Sequence, residues 1–316
     1  MKKPLLLLVC MSLWLASCGS QPPATEAPAT QGAPTSTLPP ATKVGILPTP
    51  TPMPPPPTPT RLPTKTPAPT NTPLAEGAAT SEALPTSAPA PSVTDEMVEI
   101  PAGSFTMGTD SGSPDESPAH QVDVPAFQLD TFEVTNADFA AFTQATDYQT
   151  DAEKKQASRT WRDEYGEGKD NHPVVRVTWN DALAYCEWLG KRLPSETEWE
   201  KAARGPDGFV YPWGNDWDPT KANVKESGLR GTAAVGSYPP NGYGLADMAG
   251  NVWEWTGDWY QAYPGNTAPD QFYGEKFRVV RGGGWFEEAP QLVAYNRNAA
   301  DPNATANDDL GFRCAK

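Results

Sequence analysis

Residues 278–298, RVVRGGGWFEEAPQLVAYNRN, place three glycines beside aromatic and acidic side chains. Glu287 and Glu288 are carboxylates that could act as a general acid and base. Adjacent residues of an extended segment point to opposite faces, so the two are poorly placed to act on one substrate. The mixture of groups favours recognition of a peptide, protein or glycan ligand, with an ordinary surface loop as the alternative. The candidate ligand-binding residues are Trp285, Phe286, Glu287, Glu288, Tyr295, Asn296 and Arg297.

Thiols are the second group capable of chemistry. Two of the four cysteines, Cys10 and Cys18, lie in an N-terminal segment that has the features of an export signal. Cys186 and Cys314 remain for the rest of the chain, and in an oxidising compartment their simplest state is a disulfide. That disulfide would close a loop of well over 100 residues, which corresponds to a stabilisation on the order of 4 to 5 kcal/mol. Two free thiols are the alternative.

The first 18 residues, MKKPLLLLVCMSLWLASC, are typical of a bacterial lipoprotein signal peptide. Two lysines precede an apolar run that is too short to be a confident membrane span. The run ends in Leu-Ala-Ser-Cys, which resembles the lipobox whose cysteine is lipidated. We therefore expect lipidation at Cys18 and an exported protein anchored to a membrane of the bacterial cell envelope. Plain signal cleavage is the alternative.

Residues 19–94 form a Pro/Thr-rich segment that holds 21 of the 37 prolines and no aromatic residue. Proline cannot donate a backbone hydrogen bond, and without apolar side chains nothing offsets the entropy lost on ordering. The composition predicts a disordered, semi-rigid stalk between the anchor and the remaining chain. Recognition of its proline motifs by a partner is the alternative.

Residues 95–316 have the composition of one globular domain, with 19 basic and 36 acidic residues. This acidity argues against a nucleic-acid partner, which needs a basic surface. Alternating patterns in 96–108 and 120–134 predict strands. Helices are predicted in 134–148, in 178–192 with Gly190 near its end, and after Ser195, whose spacing to Glu198 is that of a capping box. Beyond Gly205 the chain is rich in glycine, proline and asparagine, so the fold class is α+β with many loops.

Seven blocks of this domain, in order, resemble the formylglycine-generating enzyme (sulfatase-modifying factor) family. The blocks are VEIPAGSFTMG at 98–108, EVTNADFAAF at 133–142, HPVVRVTWNDALAYCEWLGKRLPSETEWEKAARG at 172–205, YPWGN at 211–215, PPNGYGLADMAGNVWEWTGDWY at 239–260, RVVRGGGW at 278–285 and LGFRC at 310–314. The resemblance implies a C-type-lectin-like fold with little regular secondary structure. It also implies a disulfide between Cys186 and Cys314, which match a bridged pair of the family. The glycines at 282 and 283 are expected to form a structural turn.

Oxidases of this family convert a sulfatase cysteine to formylglycine with O₂ and a copper(I) ion held by two thiolates. The resemblance aligns Glu287 with the first of these thiolates and the neighbourhood of Leu292 with the second. No cysteine lies between Cys186 and Cys314, and carboxylates do not replace thiolates as copper(I) ligands. Copper is therefore not expected, and we predict a non-oxidase module that binds a ligand or serves as an accessory protein. The alternatives are a formylglycine-generating oxidase or another enzyme activity of this family.

Calcium is the cofactor that the resemblance favours. The segment LADMAGNVWEW matches one family site, which implies ligands from Asp247, Gly250, Val252 and Glu254. Hard oxygen donors of this kind suit Ca²⁺. The alternative is that Glu254 pairs with an arginine such as Arg281 and Asp247 caps a turn. A second family site would use Asn223, Val224 and Leu229, and it is less favoured because Ser227 stands where an aspartate is expected.

Overall fold

The computed structural model describes residues 96–316, in which the regular elements are short and joined by long loops. The predicted signal peptide, Cys18 and the Pro/Thr-rich stalk lie outside the described residues. Within residues 96–316, no helix has the length and apolar character needed to cross a membrane.

The strands form two antiparallel pairs and one sheet of four. The strands are β1 (Met97–Ile100), β2 (Gly103–Met107), β3 (His120–Val124), β4 (Phe127–Asp130), β5 (Trp253–Trp259), β6 (Arg278–Arg281), β7 (Asn298–Ala300) and β8 (Leu310–Gly311). β1 pairs with β4 and β2 pairs with β3. The larger sheet has the order β7-β6-β5-β8, with β8 parallel to β5 and the other pairs antiparallel. The strands predicted in 96–108 and 120–134 are confirmed.

Five short helices precede the larger sheet. They are α1 (Asn136–Thr146), α2 (Asp151–Lys154), α3 (Trp161–Glu164), α4 (Trp179–Trp188) and α5 (Glu196–Arg204). The predicted capping box at α5 is present, with Ser195 and Glu198 bonded reciprocally. α4 ends just before Gly190, which adopts a positive φ of 68° as a residue beyond a helix C-cap often does.

Aromatic side chains fill the core around α1 and α4. Phe139 contacts the rings of Phe142, Trp161, Tyr185 and Phe312, with centroids 5.2 to 6.3 Å apart. Such pairs add to the free energy of burial when their rings meet edge to face or stacked. The disulfide lies in this core and joins α4 to the segment after β8, so the predicted bond is confirmed.

Buried ion pairs connect α5 to the larger sheet. Arg281 of β6 donates from Nη2 to Glu196 Oε1 at 2.7 Å and to Glu200 Oε2 at 2.9 Å. Oε1 of Glu200 also accepts a hydrogen bond from Nε of Arg204 at 2.9 Å. These side chains are nearly inaccessible to water. Removing one partner of a buried pair costs about 3 to 5 kcal/mol. The network therefore positions the helix and the sheet relative to each other.

Candidate functional site

A cleft of about 480 Å³ opens over the four-stranded sheet, and every strand of that sheet contributes to its lining. Trp253, Val280, residues 298–300 and Leu310 come from the strands. The loops around them contribute Phe286, Glu287, Asp301, Ala304, Asn307 and Asp309. The volume lies within the range of small-molecule sites, roughly 300 to 1,000 Å³.

The glycine turn at 282–284 brings the chain from β6 to the rim of the cleft. Gly283 has a φ of 79°, and a Cβ at this position would lie 2.8 Å from Leu292 and 3.0 Å from the carbonyl of Gln291. A Cβ on Gly284 would lie 2.7 Å from Oδ2 of Asp309. Glycine is required here because the backbone passes so close to its neighbours, which agrees with the structural role predicted for the turn.

Asp309 is a buried carboxylate at the edge of the cleft, with 8 % of its surface exposed. Its carbonyl oxygen accepts from the backbone N–H of Trp253 at 2.7 Å, which fixes the segment before β8 against β5. Within residues 96–316, no other residue donates a hydrogen bond to its carboxylate. Burial, together with the charges of Asp308 and Glu287, raises the pKa of Asp309 to about 6.

Glu287 faces the same cleft and is half-buried. Its backbone is held by Gly284, whose carbonyl accepts at 3.1 Å, and by Lys225, whose N–H donates at 3.2 Å. The indole of Trp253 donates to its carboxylate over a long distance of 3.4 Å. Burial raises the pKa of Glu287, and the charge of Glu288 adds to this effect. The cleft thus contains two carboxylates that repel each other.

The other predicted ligand residues lie outside the cleft. Trp285 directs its indole N–H to the carbonyl of Asp308, and Glu288 is exposed and pairs with Lys225. Tyr295 lies beneath the guanidinium of Arg204, 5.2 Å from it, and Asn296 donates to the carbonyl of Gln291 at 2.7 Å. Of the seven predicted residues, Phe286 and Glu287 line the cleft.

Arg297, one of the seven predicted ligand-binding residues, does not line the cleft. Its guanidinium is buried and donates to both carboxylate oxygens of Glu196 at 2.8 Å. The same guanidinium stacks near the rings of Tyr260 and Tyr263, at 4.5 and 4.2 Å. Arg297 therefore belongs to the ion-pair network around α5. Its acidic partner is 101 residues away in sequence, so no local pattern indicated it.

The residues that sequence reasoning missed come from β5 and from the loop before β8. Trp253 and Asp309 face the cleft, together with Asp301 and Asn307. A signal was present, because Asp308 and Asp309 directly precede the LGFRC block, where a charged pair beside an apolar strand needs an explanation. Their meeting with Trp253 depends on the β5–β8 pairing, which is a contact between distant parts of the sequence.

The favoured calcium residues lie in a buried acidic region. Both oxygens of Glu254 accept from Arg313, at 2.8 and 2.7 Å, and the indole of Trp199 adds a third donor. Asp247 accepts from the N–H of Gly236 at 2.7 Å, and burial raises its pKa to about 6. No group of three histidine, cysteine or acidic side chains within 96–316 is arranged to hold a metal.

Charge in this region still suits a hard cation. Burial raises the pKa of Glu133, and Asp247 and Glu254 raise it further, so three carboxylates share the guanidinium of Arg313. A Ca²⁺ ion bound through Asp247, Glu254 and backbone carbonyls would neutralise the excess charge. Glu254 pairs with an arginine, as the alternative to a calcium site supposed, and this arginine is Arg313 rather than Arg281.

The oxygens of two of the less favoured calcium residues already accept hydrogen bonds. Oδ1 of Asn223 accepts from the Ser227 hydroxyl at 2.9 Å, and its amide group donates to Gly231 and Asn251. The carbonyl of Val224 accepts from the N–H of Ser227, and the side chain of Leu229 is exposed. Two of these three residues therefore already use oxygens in hydrogen bonds, as Glu254 does at the favoured position.

Comparison with known proteins identifies the family. A family model described as "Sulfatase-modifying factor enzyme 1-like domain" matches residues 82–316. The chain belongs to this family. The match begins 13 residues before the predicted start of the globular domain at residue 95.

Relatives in the sulfatase-modifying factor family carry two kinds of name. The chain is 37 % identical to the mouse (Mus musculus) formylglycine-generating enzyme, over 72 % of this chain and 76 % of that protein. It is 40 % identical to a bovine (Bos taurus) protein named inactive C-alpha-formylglycine-generating enzyme 2, over 70 % of this chain and 88 % of that protein. The solved structure of PvdO from Pseudomonas aeruginosa is 31 % identical, covers 69 % of this chain and 93 % of its own, and has a TM-score of 0.56. Membership alone therefore does not decide whether this chain is an oxidase.

The motif resemblance placed the expected copper positions at Glu287 and near Leu292. Glu287 lines the cleft, whereas Leu292 is buried in a small apolar cluster with Ala222, Val224 and Ala249. Neither position carries sulfur, and the two cysteines of the domain are joined in the disulfide. Among residues 96–316, no thiolate is left to hold copper(I).

The charge of Asp309, which no cation compensates, should lower the free energy of unfolding measurably. Because a raised carboxyl pKa means that the folded state takes up the proton first, the cost of the Asp309 charge should fall as the pH falls from about 7 through 6 and on to about 4. Asp309→Asn removes the charge, so we expect it to raise the free energy of unfolding by about 1 to 3 kcal/mol at pH 7.5. Near pH 4.5 the gain should fall to about a third of this value. Urea denaturation at both pH values measures it.

The control for this prediction is Asp308→Asn. Its side chain is more exposed and pairs with Arg176 at 3.3 Å, so the change should alter stability by less than about 1 kcal/mol at either pH. A loss of stability in Asp309→Asn at pH 7.5 would contradict this effect of the charge, and so would an equal gain at both pH values.

Proposed function

We propose that this chain is a non-oxidising member of the sulfatase-modifying factor family, and that its cleft binds a ligand. The supporting observation is that Glu287 lines the cleft at the first copper position, while both cysteines of the domain are bonded to each other. Copper(I) selects soft thiolate ligands, and a carboxylate is a hard donor. The cleft keeps the size of a ligand site without the residues of the family's oxidation chemistry.

The named relatives are consistent with this proposal. A bovine family member 40 % identical to this chain is named as inactive. The fold can therefore persist in a protein without the oxidase activity, because function depends on the site and not on the fold alone. The rival proposal, a formylglycine-generating oxidase, draws on the mouse relative and its name.

We further propose that the domain is exported and held at the bacterial cell envelope by a lipid on Cys18. The stalk of residues 19–94 would hold the cleft away from the membrane. A sparingly hydrophobic, acidic domain suits this position, because the surface charge keeps it soluble beside the lipid. Such a protein would act as a binding or accessory module towards a peptide, protein or glycan.

Calcium enters the proposal as a structural ion. It would be held by the carboxylates of Asp247 and Glu254 and by the carbonyls of Gly250 and Val252. When bound, it would supply positive charge to a region where three carboxylates share one guanidinium. Its contribution would be to the stability of the loop before β5 and not to a reaction.

The first prediction concerns oxidation. Purified full-length protein loaded with copper(I) should produce no aldehyde from a sulfatase-type cysteine peptide in the presence of O₂, because it lacks the two thiolates. Mass spectrometry of the peptide measures the product, and a family oxidase assayed in parallel is the positive control. More aldehyde than in a reaction without the protein would contradict the proposal.

The second prediction concerns the cleft as a ligand site. Full-length protein should enrich ligands from a peptide library or a glycan array, and Phe286→Ala should weaken the enriched ligands about tenfold, as expected for an aromatic anchor. Phe272→Ala is the matched control, since Phe272 is 40 % exposed against 46 % for Phe286 but lies outside the cleft. Equal losses in the two variants, or no enrichment at all, would reject the proposed function.

The third prediction concerns calcium. After dialysis against a calcium buffer, the protein should retain about one Ca²⁺ per chain by mass spectrometry of the metal. Asp247→Ala should lower this content, whereas Asp207→Ala, at an exposed position, should leave it unchanged. Chelation of the ion should lower the melting temperature of the wild type, because a ligand of the folded state stabilises it. A wild type without retained calcium would contradict the site.

A further inference from the structure

We propose that the ligand held in the cleft carries an organic cation, an amine or a guanidinium, which Asp309 and Glu287 bind. This inference rests on the proposed function and names the chemical class of the ligand. It starts from the charge of the lining. Glu287, Asp301 and Asp309 line the cleft, and none of the described lining residues is lysine, arginine or histidine. The cleft therefore attracts positive charge.

Asp309 gives the second, independent observation. It is more than nine-tenths buried and lines the cleft, yet no other described residue donates a hydrogen bond to its carboxylate. A buried carboxylate without a partner is costly, so natural proteins seldom leave one unless another group satisfies it. Its oxygens are not among the fully enclosed polar atoms without a partner in this part of the chain, so they open on the cleft, where the donor of a ligand can replace water.

The other buried carboxylates of residues 96–316 emphasise this difference. Each of them accepts a hydrogen bond from another residue. They are Glu116, Asp130, Glu133, Asp138, Asp181, Glu196, Glu200, Asp247 and Glu254. Several have a cation as well, such as Glu254 with Arg313 and Asp130 with Lys191. Asp309 is the exception in this part of the chain, and it lines the cleft together with Glu287 and Asp301.

An organic cation fits the cleft better than a metal ion. No group of three acidic, histidine or cysteine side chains within 96–316 is arranged to hold a metal. The cleft is much larger than an ion, at about 480 Å³, and it has aromatic walls from Trp253 and Phe286. Aromatic side chains favour organic cations near them, and a guanidinium or ammonium can donate to both carboxylates.

The experiment uses full-length protein in detergent and isothermal titration at pH 7.5. The probes are N-acetyl-arginine methylamide and its neutral analogue N-acetyl-citrulline methylamide, which has nearly the same shape. We expect the arginine probe to bind at least ten times more tightly. Agmatine provides the free cation without a peptide backbone, so tighter binding of the capped arginine indicates a peptide source and tighter binding of agmatine a free amine.

Two variants link the binding to the cleft. Asp309→Asn should lower the affinity for the arginine probe at least tenfold. Asp308→Asn, a change at the exposed neighbour, should lower it less than twofold. Circular dichroism and the melting temperature of each variant show whether it is folded, and Asp309→Asn is expected to fold because it loses an uncompensated charge. Glu287→Gln should weaken the probe in the same direction as Asp309→Asn.

Three results would overturn the inference: equal binding of arginine and citrulline probes, unchanged affinity in folded Asp309→Asn, or no binding of either guanidinium probe at millimolar concentration. Displacement of the probe by Ca²⁺ or Mg²⁺ at stoichiometric concentration would also overturn it in favour of a metal. If the library or array returns a neutral or anionic ligand that requires Phe286, the proposed function stands and the cationic class is rejected. If nothing requires Phe286, both fall.

Discussion

The arrangement of this domain depends on carboxylates buried against arginines. Short strands and long loops provide few continuous backbone ladders, so long side chains must fix how distant segments pack. Glu196, at the start of α5, receives Arg281 from β6 and Arg297 from the residue before β7. Burial alone would raise the pKa of Glu196, but the two guanidiniums lower it. The two strands that these arginines hold both contribute to the floor of the cleft.

Against this background, the cleft shows the opposite use of the same chemistry. Arginines pair with the structural carboxylates around α5, whereas Asp309 has no cation beside it. Proteins that bind ligands often retain groups that weaken the folded state, because stability at such a site competes with function. The same reasoning applies to Glu287, a half-buried carboxylate that lines the same cleft.

Sequence reasoning succeeded where the signal was local. The capping box of Ser195 and Glu198, the glycine after α4 and the alternation in β1 to β4 each act over a few residues. The disulfide was predictable because the domain has two cysteines. The site was predictable only in part, because its residues meet through tertiary pairing. Trp253 meets Asp309 across 56 residues, and Arg297 is buried by a glutamate 101 residues away, contacts that no periodicity encodes.

The β5–β8 pairing and the disulfide both join parts of the domain that are distant in sequence. β8 contributes two residues, runs parallel to β5, and lies just before Cys314, whose partner is in α4. Pairing of strands that are distant in sequence requires closure of a long loop, so such contacts form slowly. Asp309 reaches Trp253 only with this step. A substitution that loosens this pairing would therefore open the floor of the cleft even where the residues that touch the ligand are unchanged.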